Sequence, residues 1–199
     1  MQADVLKRFQ RHLERIEMTR TRMDSLLSDG QIVLRDLESV YEALFLRAVT
    51  SFEAFLEELF ISILQNKTRY SQRRVSLRMR AISSAALLDI LLQGKDYMQW
   101  LPFNATEQRA YLYLRGGKPF SELTDGDKSM MKTISTIRNA IAHRSDFAMK
   151  QFEMKVVGSQ ALLPRERTPA GYLRVVVSSN NTQTKFESYM GELSRLSAG

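Results

Sequence analysis

Cysteine is absent from this chain. That excludes a disulfide framework, a thiolate nucleophile and a thiolate metal site, and it fits a reducing compartment. Turn formers are scarce, with nine glycines and four prolines in 199 residues, which favours long helices over many short strands. Histidine occurs twice and tryptophan once. No apolar run approaches the ~20 residues of a membrane span. The first residues, "MQADVLKRFQRHLERIEMTR", lack an apolar stretch of signal-peptide length. The expectation is a cytoplasmic protein. The carboxylates form no cluster at metal-ligand spacing, and "GGKPF" is too short for a phosphate loop and lacks Ser or Thr after the lysine. No metal and no cofactor is therefore expected.

What is present is length for one domain with a small appendage, 44% hydrophobic residues, and a formal net charge of +7. The basic balance points to a polyanionic partner such as nucleic acid or an acidic membrane face. The plainer reading is a soluble protein that happens to be basic.

Apolar spacing predicts helices first. Val5, Leu6, Phe9, Leu13, Ile16, Met23, Leu26 and Leu27 set a helical pattern over 4–27, broken by "SDG" at 28–30. From Gln31 to about Asn66, Leu37, Tyr41, Leu44, Ala48, Phe52, Phe55, Leu59 and Ile63 recur every three or four residues. Phe45, Val49, Leu56 and Phe60 widen that apolar face, so this helix should be central. "KTRYSQRRVSLRMR" follows at 67–80, with Arg69, Arg73, Arg74, Arg78 and Arg80 around Tyr70 and no acid. Such a stretch suits an RNA backbone with one stacked base, or is a solvated loop and helix start. Residues 83–94 read as a short buried helix, and a further helix opens at Thr106 as N-cap. Thr124 with Asp127 resembles a capping box, opening a helix to His143 or Ser145 with Met130, Ile134, Ile137 and Ile141 as its apolar stripe. Ser145 or Asp146 caps a short helix over "FAMKQFE". "MKVVG" and "GYLRVVV" look β-like and predict a hairpin over about 154–177, with Asn180 or Asn181 capping a last helix over about 181–196. The fold class is all-α, with two long N-terminal helices and a small C-terminal hairpin plus helix. Residues 1–150 form the helical body, and 151–199 a C-terminal extension packed on it.

The chemistry rests on "IRNAIAH", residues 137–143. Arg138 flanks the apolar stripe, and His143 lies about 140° from it around an ideal helix. The two converge only if the helix bends or ends near His143, or if two copies face each other across a two-fold axis. A cleft holding both suits RNA cleavage by the 2′-hydroxyl. Histidine takes or gives a proton near neutral pH, and arginine grips two phosphate oxygens. The plainer reading is a salt-bridged Arg138 and a His143 stabilised at a helix C-terminus. His12, on a charged amphipathic helix, reads as a surface residue.

"IRNAIAHRS" resembles the signature of the HEPN superfamily, an Arg, a polar residue, a short gap and a His. "LRAVTSFEAFLEELF" at 46–60 looks like that superfamily's long second helix, nearest the RiboL-PSP-HEPN branch. The resemblance covers residues 1 to about 150. It implies a HEPN-type helical bundle, a homodimer with facing signature helices, and metal-independent endoribonuclease activity in a toxin or phage-defence effector. An antitoxin or regulatory protein is then a further partner. It implies that Arg138 and His143 are catalytic and that Asn139 orients them or contacts phosphate. Glu53 either positions Arg138 or is a surface acid. Ser145 stands where the Arg–His–Tyr variant has tyrosine, which disfavours that variant. The alternative within the family is a non-catalytic module that binds nucleic acid or a partner protein. No helix-turn-helix spacing supports a DNA-binding reading.

Overall fold

The structure is a computed structural model and describes residues 2–65, 91–92, 98–178 and 181–198. It is all-α apart from one two-stranded hairpin. The helices are α1 (Gln2–Ser28), α2 (Leu34–Leu64), α3 (Phe103–Tyr113), α4 (Asp125–His143), α5 (Asp146–Phe152), α6 (Pro169–Arg174) and α7 (Lys185–Ala198). The strands β1 (Val176–Ser178) and β2 (Asn181–Thr184) lie between α6 and α7. Among the described residues no helix is long and apolar enough to cross a membrane.

Local chemistry accounts for the ends of the elements. At the end of α1, Gly30 adopts φ +70°, its N–H donates to Leu27 O, and that of Gln31 donates to Leu26 O. This left-handed cap closes the helix where "SDG" predicted a break. The predicted capping box is present at α4. Asp127 N–H donates to Thr124 Oγ1 at 3.1 Å, while Asp127 Oδ2 accepts from Thr124 N–H at 2.9 Å. Ser145 caps α5 by accepting from Ala148 N–H at 3.2 Å.

Three expectations are corrected. Thr106 does not open α3; the helix starts three residues earlier, and buried Thr106 donates its hydroxyl to Trp100 O at 2.6 Å. Residues 154–157 are not a strand. They continue α5 as a π-helical turn, Glu153–Val157, ended by Gly158 at φ +53°. Val156 and Val157 bury there, so packing overrides their β preference. The hairpin therefore pairs Val176 with Thr184 and Ser178 with Asn181. The last helix is capped by Thr184 rather than an asparagine: Glu187 N–H donates to Thr184 Oγ1 at 3.2 Å, and Thr184 N–H returns to Glu187 Oε2 at 2.7 Å.

Backbone proximity divides the chain into two compact units: Met1–Lys7 with Glu53–Lys132, and Arg8–Phe52 with Thr133–Gly199. In the first unit, Phe60 lies against Trp100, Tyr113 and Phe120, with ring centroids 5.3–6.2 Å apart. Trp100 Nε1 donates to Glu57 at 2.9 Å, which satisfies the indole's only donor. In the second unit, Phe9 meets Phe52, Tyr41 and Phe45 meet Phe186, and Phe152 meets Tyr172 edge-on. Arg20 ties this unit together through Glu17, Asp24 and Glu187. Tyr41 donates to Asp24 at 3.0 Å, and burial helps push the phenol up to about 12.

Gly171 in α6 is the most tightly packed of the described glycines. A Cβ there would sit 1.9 Å from Arg165 O and 2.9 Å from Thr168 Oγ1. Gly171→Ala is expected to destabilise the fold by about 1–3 kcal/mol or more, because the neighbour is backbone and cannot rotate away. A urea unfolding curve with an unchanged midpoint would contradict that packing.

Candidate functional site

The "RNAIAH" stretch closes α4. Met131, Ile134, Ile137, Ala140 and Ile141 are buried, so the apolar stripe runs through Met131 rather than Met130. This anchored face orients the rest. Arg138 is half-buried at the stripe's edge, and its Nη1 donates to Asn139 Oδ1 at 3.1 Å. Asn139 is exposed. His143 is exposed on the last residue of the helix and has no hydrogen-bond partner among the described residues. The helix is regular from Arg138 to His143, so the two side chains are separated by about 140° around the axis and about 7.5 Å along it. One copy of α4 does not bring them together.

The end of α4 is set by Arg144. Only this residue separates the helix's last residue from the N-cap of α5, so the chain must turn on it. Arg144 takes φ +47°, a left-handed conformation that is unusual for a residue with a Cβ, and donates its N–H to Ala140 O at 3.2 Å. Its guanidinium pairs with Glu42 of α2. The ion pair lines a cleft of about 350 Å³ with Arg35, Glu38, Ser39 and Met149. Arg144 and Glu42 did not emerge from apolar spacing. The single residue between two helix signals in "AHRSD" is the clue that points to Arg144.

Glu53 is half-buried and belongs to the first unit, while Arg138 and His143 belong to the second. Arg69, Arg73, Arg74, Arg78 and Arg80 lie outside the described residues, as does most of the predicted helix at 83–94. Among the described residues no group of three or more His, Cys, Asp or Glu side chains gathers as a metal site.

His12 differs from the sequence expectation. Its Nε2 is buried without a hydrogen-bond partner. Desolvation, then the charges of Arg47 and Arg15, holds the imidazole below its ordinary range. It is not a plain surface side chain: its Nε2 is buried, and the charges of arginines on two helices act on it.

Set against known proteins, the chain matches no family model, no curated sequence and no solved structure. What the fold defines is an all-α protein with a small C-terminal hairpin and helix.

Proposed function

We propose that the chain is a cytoplasmic, metal-independent endoribonuclease of HEPN type, acting as a toxin or phage-defence effector, with an Arg138/His143 cleft built by two copies. The observation that carries this reading is the end of α4: its apolar stripe is buried, Asn139 and His143 are exposed, and Arg138 is half-buried at the edge. A two-fold arrangement of two such helices removes the 140° problem, because each copy lends the group that the other cannot aim. Phe147 and Met154, 72% and 62% exposed just beyond His143, offer an apolar surface for the second copy. Phe147→Glu is expected to shift the protein from dimer to monomer in light scattering after size exclusion.

In this cleft one imidazole removes the 2′-hydroxyl proton, and that oxygen attacks the phosphorus. Arg138 neutralises the charge growing on the phosphorane. A protonated imidazole, from the same pair, protonates the leaving 5′-oxygen. The products are a 2′,3′-cyclic phosphate and a free 5′-hydroxyl. Incubating the purified protein with single-stranded RNA in excess EDTA tests this. Cyclic-phosphate ends support it; RNA that is bound but left whole favours a non-catalytic binding module.

A further inference from the structure

Helix α1 has two arginine environments. Arg20 is saturated by Glu17, Asp24 and Glu187. Arg11, Arg15 and Arg22 lie on another side, exposed and in no ion pair among the described residues. Together with Arg8 they fall within an arc of about 60° on the helical wheel and extend over about 21 Å. The residues three and four positions from Arg15 are Arg11, His12, Met18 and Thr19; those around Arg22 are Met18, Thr19, Ser25 and Leu26. Around Arg15 and Arg22 no acid lies three or four residues away, whereas Glu14 is three after Arg11 and Asp4 four before Arg8. Arg8, Arg11 and Arg15 follow one another at like-charge spacings of three and four, which disfavour a helix. Glu14, Glu17 and Asp24 fall outside this arc.

A second helix adds to the stripe. Arg47 of α2 is exposed and likewise unpaired, with Ala43, Leu44, Thr50 and Ser51 around it. Phe9 packs on Phe52 and Tyr41 bonds Asp24, so α1 and α2 run antiparallel with Arg15 about level with Arg47, and the charges of both act on the partly buried His12 imidazole. Arginine rather than lysine supplies every exposed cation of the set, and its planar fork matches paired phosphate oxygens. Phe9, Leu13 and Ile16, the apolar face that an interfacial membrane helix would expose, are buried in the unit, leaving Met18 as a single exposed apolar side chain beside the stripe.

We infer that Arg11, Arg15 and Arg22 of α1, with Arg47 of α2, form a track for the phosphate backbone of RNA. This rests on the reading of RNA as the substrate and gives that substrate a second, sequence-independent hold. Phosphate contacts position a strand without reading its bases, which is what a cleavage site for varied RNA requires.

The test uses the full chain carrying His143→Ala, so that RNA stays whole, and a fluorescently labelled 20-mer of single-stranded RNA followed by anisotropy across a salt series. Arg15→Gln and Arg47→Gln keep the side-chain stem and remove the charge. Each is expected to weaken binding several-fold and to reduce the slope of log affinity against log salt by about 0.7. The melting temperature should hold or rise, because like charges are removed from one helix face. Arg195→Gln, which removes a cation of α7 already paired with Glu192, should leave the affinity near its starting value. An unchanged affinity and slope in the double variant would overturn the track. So would equal weakening by Arg195→Gln, or Arg15-dependent binding to anionic vesicles with none to RNA. If the wild type binds through Arg15 and Arg47 yet cuts nothing, the nuclease reading falls and the track stands.

Discussion

Replacing His143 by alanine is expected to slow RNA cleavage by about 100- to 10,000-fold while leaving the fold intact. The rate loss follows from the role: without the imidazole, proton transfer falls to water. The intact fold follows from position. His143 is exposed, ends its helix and has no partner among the described residues, so truncation should change stability by no more than about 0.5 kcal/mol. Arg138→Ala should cost about 100- to 1,000-fold, the loss typical of one transition-state charge stabiliser. Mixing the two inactive variants gives a sharper measurement. In a two-copy cleft, a heterodimer regains one Arg138 and one of the two imidazoles, on different chains, so activity should rise above that of either variant alone and stay well below the wild type, which has both imidazoles. If mixing restores nothing although heterodimers form, the cleft is not shared between chains. Relief of growth arrest by either variant on expression would be the cellular counterpart.

Phe60→Ala carries the largest expected loss of stability, about 3–5 kcal/mol. The ring is fully buried and touches Trp100, Tyr113 and Phe120, three aromatic groups from separate stretches of the first unit. Those neighbours are rigid, so the site collapses little and the cavity persists. For a chain of this size the melting temperature should drop by roughly 10 °C or more. Phe60→Leu, which refills most of the volume, should cost clearly less. Equal losses for both would mean that shape rather than volume governs this core.

The helices were legible because their signals are local. Thr124 and Asp127 carry their cap in four consecutive residues, and Ser145 does the same for α5. The wide face of α2 announced itself through neighbouring aromatics, and the end of α4 at His143 lay within the expected range. The C-terminal segment was harder. Val156 and Val157 read as strand by type, but they are buried in the turn that continues α5, beyond the buried Phe152. Thr184 and Glu187 spelled a capping box that the neighbouring asparagines masked. At the candidate site, spacing and resemblance single out Arg138, Asn139 and His143, of which the structure exposes Asn139 and His143 and half-buries Arg138. The pairing of Arg144 with Glu42 was not, because it joins positions 102 residues apart in the sequence. His12 failed for a similar reason: its own helix gave no warning that Arg47 of α2 acts on it.

The one-residue link at Arg144 makes α4 and α5 behave as two arms of a crank. Arg144 is held at both ends, by its N–H on Ala140 and by its guanidinium on Glu42. Phe147 is the second residue of the second arm, and His143 the tip of the first. In the proposed two-copy nuclease, a second copy pressing on Phe147 would also adjust the imidazole, assembly and catalytic geometry would be set by one movement, and an inhibitor protein covering Phe147 would silence cleavage without touching His143.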